Sequence, residues 1–333
     1  MFTGQLPFTD MPRPYIALAP MEGLMDGTFR ELMTSVGGID HCVTEFVRVT
    51  GQLLPPKVFY RLCPELRNGG KTQAGTPVHV QLLGSEPELM AENAALAASL
   101  GAPAIDLNFG CPAKTVNRHM GGAVLLQYPE LLHSITSAVR KAVPDHIPVT
   151  AKMRLGFTDK SVALVNAQAL EAAGIQWLTV HARTKTEGYK PPAYWEWIRQ
   201  IKDVVDIPVL ANGEIWTPEH AEQCQQESGS DILMIGRGLV AVPDLGLQIK
   251  DPKHTPMTWQ ESLELMKVLA KSLPHLQDKQ LTSRMKQWLH YFSMQSSEIA
   301  QVFEVVKREL NKDIFFRALD NACIDISNAL AAQ

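Results

Sequence analysis

With 333 residues, 45% of them hydrophobic and 20% charged, the chain has a globular composition and room for one large α/β barrel plus a smaller appendage, with no disordered tail. A net charge of −4 excludes a protein that coats nucleic acid by bulk electrostatics, although a focused basic patch stays compatible with it. No apolar run reaches membrane-spanning length, residues 1–14 lack a charged-then-apolar leader pattern, and the five cysteines are scattered and include no C-x-x-C pair, so the expectation is a reduced, cytoplasmic protein without disulfides or a zinc site.

Along the chain, short apolar segments recur at 15–19, 42–46, 78–82, 104–108, 149–153, 177–181, 209–212 and 232–235. Alanine- and leucine-rich stretches between them, such as 86–100, 129–143, 161–173 and 218–228, predict helices. Near-continuous apolar strands alternating with helices indicate a parallel sheet covered on its outside. Eight such units within about 240 residues predict a (β/α)8 TIM barrel over residues 1–250. Residues 58–76 read as a long irregular insertion between the second and third units. Pro243 and residues 252–256 read as a linker, beyond which 259–273, 281–294, 297–310 and 314–330 have helical periodicity. They predict a small antiparallel helical-bundle domain over 255–333, with nine Lys/Arg balanced by nine Asp/Glu.

A barrel of this kind carries its functional residues at the C-terminal ends of its strands. Polar residues collect at those ends: Ala19-Pro20-Met21-Glu22, then Thr44-Glu45-Phe46, then Gln81, then Asn108-Phe109-Gly110-Cys111-Pro112. The later strands end in Lys152-Met153-Arg154, His181-Ala182-Arg183, Asn212-Gly213-Glu214 and Gly236-Arg237-Gly238. Gly110 and Pro112 both break regular structure and present Cys111 on a sharp turn. There its thiol can act as nucleophile, metal ligand or proton donor, or simply fill space as many cysteines do. The glycines of the last two loops, with Arg237, suit a phosphate. Lys152 is compatible with a Schiff-base nucleophile or with a hold on an electron-rich ring or phosphate. His181 fits either the site or a satisfied core position. Gln81 and Asn108 add amides suited to a planar heterocycle. The set implies a phosphorylated, ring-bearing cofactor rather than a metal, and the absence of G-x-G-x-x-G argues against a separate dinucleotide domain.

In this order the motifs resemble the tRNA-dihydrouridine synthases over nearly the whole chain. The resemblance implies FMN in the barrel, NADPH as electron donor, and reduction of a tRNA uridine to 5,6-dihydrouridine. By the same resemblance Pro20, Met21 and Glu22 line the flavin, Gln81 and Lys152 bond its ring, and His181 lies beside it. Asn212, Gly213, Glu214, Gly236 and Arg237 hold ribityl and phosphate. Cys111 becomes the general acid that protonates uracil C5, and Asn108 contacts the flipped-out base. The segments 44–49 and 284–289 are similar to the C subfamily, which implies uridine 16 of the D-loop. Arg48, Tyr189, Arg284, Lys286 and either Lys307 or Arg308 are then expected to face tRNA, with Arg284, Lys286 and His290 forming one positive helix surface. A monomer without protein or membrane partners is expected. Competing readings are a flavin barrel that reduces a small free pyrimidine or enone, an aldolase built on Lys152, and an RNA-binding factor with vestigial catalysis.

Overall fold

A computed structural model describes residues 2–331. The chain divides into two compact units, one of residues up to Ser35 with Ile39–Gly236, the other of Val36–Gly38 with everything from Arg237 on.

The first unit is the expected barrel. Its strands are β1 (Tyr15–Leu18), β2 (His41–Val43), β3 (Val47–Arg48), β4 (Val78–Leu83) and β5 (Ile105–Phe109). They continue with β6 (Val149–Gly156), β7 (Leu178–Thr184), β8 (Val209–Asn212) and β9 (Ile232–Ile235). All pair in parallel, β1 with both β2 and β9, and a β2–β4 pairing closes the ring. Every residue of β1, β4, β7, β8 and β9 is buried, which is why these strands are mostly apolar, with His79, Gln81, His181, Arg183 and Asn212 as buried polar exceptions. Helices Pro56–Leu62, Pro87–Ser99, Pro129–Ala142 and Pro218–Ser228 each begin with proline in the first turn, where its missing N–H costs nothing.

Two local expectations change. The second barrel strand is not one continuous segment over 42–46. Val43 lies opposite His79 and Val47 opposite Leu82, so four steps on one side meet three on the other and one residue is extra. Thr44 mends the ladder with its side chain, its hydroxyl accepting the Gln81 N–H at 3.0 Å. Residues 58–76 are not wholly irregular either: helix Pro56–Leu62 runs into the 3-10 turn Pro64–Asn68. A buried bidentate pair holds that turn, Arg30 Nε and Nη2 each donating to Glu65 at 2.8 Å, while Nη2 also reaches the Leu62 carbonyl at 2.9 Å.

At the N-terminal end of the barrel the interior is aromatic. Phe8 meets Tyr15 and Trp177 edge to face, with centroids 5.6 and 5.4 Å apart. Beside them His41 stacks on His79 at 4.3 Å. Burial, and for His41 the neighbouring imidazole, holds both rings neutral, with His79 pushed down to about 3. In the unfolded chain both would protonate near 6.5, so stability is lost as pH falls from there towards the folded values. For His79 the loss at pH 5 is about 2 kcal/mol, and His41 acts in the same direction. Tm should therefore drop clearly between pH 7 and pH 5, and His79→Gln should reduce that drop. An identical drop in both proteins would remove this account.

In the second unit, helices Arg237–Ala241 and Leu245–Lys250 precede the 252–256 connection, so the expected linker around Pro243 is partly helical. Helices Trp259–Lys271, Asp278–Ser293, Ser297–Val306 and Lys312–Ala331 follow, as the periodicity predicts. Thr258 with Glu261 and Gln277 with Gln280 form capping boxes. Met285, Trp288, Leu289 and Phe292 bury one face of the longer inner helix, and Trp288 Nε1 donates to the Val240 carbonyl at 2.9 Å. Among the described residues no helix is long and apolar enough to cross a membrane, and no group of three His, Cys, Asp or Glu side chains is placed to hold a metal.

Candidate active site at the barrel rim

Cys111 sits half-buried just past β5, on a turn fixed from several directions. The Asn108 Oδ1 accepts the peptide N–H of Gly110 at 2.9 Å and of Cys111 at 3.0 Å, an Asx-type hold on the turn. The Cys111 carbonyl in turn accepts from Ala123 N at 3.1 Å and from Asn117 Nδ2 at 2.9 Å. On the other side Arg154, only 2% exposed, donates through Nε to the Gly110 carbonyl at 2.9 Å. Its Nη1 donates to the carbonyls of Thr184 at 3.1 Å and Gly188 at 2.9 Å. Gly122 closes the back, since a Cβ there would stand 2.9 Å from that of Cys111. Burial pushes the thiol above its ordinary value, with Glu22 adding to it, against opposition from the Ala113 peptide N–H first and then from Arg154 and Arg48. The thiol therefore stays protonated at neutral pH.

Beneath this turn the interior is polar. Gln81, wholly buried, donates to Asp106 Oδ2 at 2.7 Å and accepts from Asn108 Nδ2 at 2.7 Å. Across from them Lys152 Nζ donates to Asn212 Oδ1 at 3.0 Å, and Asn212 Nδ2 donates to the Met234 carbonyl at 2.7 Å. Burial, then Arg154, brings the Lys152 amine down to about 8, with Asp106 opposing. That value leaves the lysine mostly charged at pH 7 and able to donate.

His181 is buried against the turn that follows β8. A Cβ on Gly213 would lie 2.9 Å from His181 Cδ2, and the φ of +120° there also favours glycine. Trp195 Nε1 holds the Gly213 carbonyl at 2.9 Å. Glu214 has its carboxylate paired with the fully buried Arg183 and bonded by Trp216 Nε1 at 3.0 Å. At the end of β9, a Cβ on Gly236 would come within 3.3 Å of both Ala19 Cβ and Met21 Sδ. Pro20 and Met21 are partly buried there, and Glu22 has a carboxyl raised by burial and by neighbouring Glu45. Arg237 follows Gly236 directly and opens its short helix.

The barrel strands and the turns after them thus deliver a protonated thiol, an amine, an imidazole and several amides, with glycines where side chains would collide; Gln81, Lys152 and His181 lie within their strands rather than at the expected ends. The family model of Dihydrouridine synthase matches residues 17–328. The chain belongs to the dihydrouridine synthase family. A tRNA-dihydrouridine(16) synthase of Pseudomonas putida is 54% identical over 299 residues, 88% of this chain and 93% of the relative. One from Pseudomonas syringae pv. tomato is 53% identical over 303 residues, 90% of this chain and 96% of the relative. Among solved structures a 2-naphthoyl-CoA reductase is similar in fold, with a TM-score of 0.55 and 13% identity over 70% of this chain and 49% of that one. The chain thus spans about half the length of that structure.

The tRNA-facing candidates of this dihydrouridine synthase are distributed unevenly. Arg48 is exposed beside His119, whose Nδ1–H donates to the Thr115 carbonyl at 2.7 Å. Tyr189 is 53% exposed, with the Arg154 guanidinium 5.1 Å from its ring centroid and His181 at 5.8 Å. On helix Asp278–Ser293, Arg284 and Lys286 are two residues apart and do not share a face; only Lys286 and His290, four apart, do. The expected single surface of Arg284, Lys286 and His290 is therefore corrected to a pair plus a separate arginine. Lys286 Nζ donates to the Glu309 carbonyl at 2.9 Å. Lys307 is paired with Glu304, whereas Arg308 is exposed.

Three residues of the candidate site carry no role in the sequence reading: Asp106, Thr150 and Arg154. Asp106 did leave a mark, as a lone acid inside the apolar run 104–107. Thr150 left none, because threonine is at home in any strand.

Proposed function

We propose that the protein reduces uridine 16 in the D-loop of tRNA to 5,6-dihydrouridine in the cytoplasm, with FMN in the barrel and NADPH as electron donor. The observation that carries this reading is a thiol kept protonated on a turn braced from both sides at the mouth of the barrel. The rim also fits FMN. Lys152 and the second Gln81 amide hydrogen are donors for a ring, and Gly213 and Gly236 keep Cβ atoms out of a tight cradle. The backbone from Asn212 to Glu214 and from Gly236 to Arg237 would hold ribityl and phosphate, with Pro20, Met21, Glu22 and His181 completing the lining.

FMN held by Gln81, Lys152 and residues 212–214 and 236–237 would, when reduced, supply hydride chemistry for uracil C6. Cys111 gives its proton to C5, where negative charge builds as C6 takes hydride. The resulting thiolate regains a proton from solvent before the next turnover. Asn108, whose oxygen is committed to the turn, keeps one amide hydrogen for a carbonyl of the base. The base has to leave its stack to arrive there, at a cost of a few kcal/mol. Arg48, Tyr189, Arg284, Lys286 and, of the last two candidates, Arg308 would meet the tRNA.

Mapping dihydrouridine in tRNA from cells lacking the protein tests reaction and position together. Loss at position 16 alone is expected; intact dihydrouridine there would end the reading. Purified protein should be yellow, and a colourless preparation would remove FMN from it. The exposure of Arg308 gives a finer expectation. Arg308→Ala should weaken tRNA binding and reduce the slope of log affinity against log salt by about one, while Lys307→Ala leaves the slope nearly unchanged. Equal slopes for both variants and the parent would take residues 307 and 308 out of the interface.

A further inference from the structure

A continuous row of hydrogen bonds joins a buried carboxylate to the Cys111 turn. Thr150 Oγ1 donates to Asp106 Oδ1 at 2.5 Å, and Gln81 Nε2 donates to Asp106 Oδ2 at 2.7 Å. Asn108 Nδ2 donates to Gln81 Oε1 at 2.7 Å, and Asn108 Oδ1 accepts from Gly110 N and Cys111 N. A side-chain amide has one donating and one accepting end, so such a row has a direction. At the turn, two peptide N–H groups can only donate and force the Asn108 oxygen towards themselves. At the far end Asp106 accepts through both oxygens, from Thr150 and from Gln81, and so draws the Gln81 nitrogen towards itself; burial raises its carboxyl, which those two hydrogen bonds and Lys152 oppose. Both ends demand one polarity, and both amides between them obey it. Asp106 is 2% exposed within an apolar strand, an expensive place for an acid unless its acceptor-only character is used.

We propose that Asp106 is a positioning residue for the reaction: its carboxylate orients the Gln81 amide, Gln81 orients Asn108, and Asn108 holds the Cys111 turn. The effect on rate rests on Cys111 being the proton donor; the hold on the turn does not. Asp106→Asn keeps the shape but offers an end that both donates and accepts. Gln81 is then biased from the turn alone, and in the flipped state the Asn108 amide faces a second NH2 group or turns its own N–H groups on the peptide N–H groups of the turn. A second change restores order. In Asp106→Asn/Asn108→Asp the row runs backwards: the new carboxylate at 108 accepts from the turn and from Gln81. The new amide at 106 donates to Gln81 and accepts from Thr150.

The test is a cycle of full-length Asp106→Asn, Asn108→Asp and the double variant. Cys111 alkylation by iodoacetamide is followed by mass spectrometry of its peptide, with the half-buried Cys323 as internal reference. Asp106→Asn should alkylate at Cys111 about fivefold faster than the parent, the factor one lost hydrogen bond gives, with Cys323 unchanged. The double variant should return to within about twofold of the parent and melt above both single variants. Parental alkylation in Asp106→Asn overturns the proposal, as does a double variant that melts no higher than its less stable parent single. If Asp106→Asn does not fold, the melting comparison of Asn108→Asp with the double variant decides. Faster alkylation with an unchanged rate of dihydrouridine formation in Asp106→Asn would support the positioning role and remove only the donor role of Cys111.

Discussion

Cys111→Ala should lose about 10²- to 10⁴-fold in dihydrouridine formation, the range that a positioned general acid supplies. Its tRNA affinity and melting temperature should stay close to the parent, because the turn is held mainly by backbone groups and by Asn108, Asn117 and Arg154, the sulfur adding only a bond from the Ala113 peptide N–H. Single-turnover formation of dihydrouridine in unmodified tRNA separates the proton-transfer step from release. The pH dependence follows from the raised thiol, which burial keeps above the ordinary value of 9.0. The donor form is therefore complete through neutral pH, and the parental rate should fall only on the alkaline side as the proton is lost. A Cys111→Ala variant that works at the parental rate, or a parental rate that rises with pH across that range, would show that the thiol is not the acid.

Arg154→Met should have the second-largest effect. Three carbonyls, of Gly110, Thr184 and Gly188, lose their donor at once, the first two in buried bonds and the third in a part-buried one. Each abandoned buried acceptor costs about 1–3 kcal/mol, so Tm should fall by many degrees. The Gly110 carbonyl lies one residue from the thiol, and a displacement of about 1 Å there is worth roughly 10²-fold in rate. Arg154→Lys should rescue little, because an ammonium cannot span the separate carbonyls that a planar guanidinium reaches. Measured against Cys111→Ala, the two losses should overlap rather than multiply. A stable, fully active Arg154→Met would remove the clamp from this account.

The barrel was legible because parallel strands covered on both faces leave mostly apolar runs, and because the polar residues at 22, 81, 108, 152, 181 and 212 all follow such runs. The bulge in the second strand was not, since one extra residue leaves no mark in composition and Thr44 is an ordinary strand residue. The short helix Pro56–Leu62 was hidden by its length, too short for periodicity to register. At the site, Asp106 was visible as an acid among aliphatics but had no readable partner, because Gln81 and Thr150 are distant in sequence and adjacent only in the closed sheet. Lys307 is paired with Glu304, three residues back in the last turn of the helix that Lys307 caps, a spacing that the sequence alone already contained.

The surplus residue in the second strand has one more consequence. Below it, His41 and Cys42 keep the lattice of the sheet; above it, Val47 and Arg48 resume that lattice against Leu82 and Leu83. Lengthening or shortening the chain between them would re-aim Glu45 and its neighbours while both flanks stay anchored. A small insertion or deletion at this joint would therefore change which side chains reach the mouth of the barrel while the paired residues on either side keep their places in the sheet.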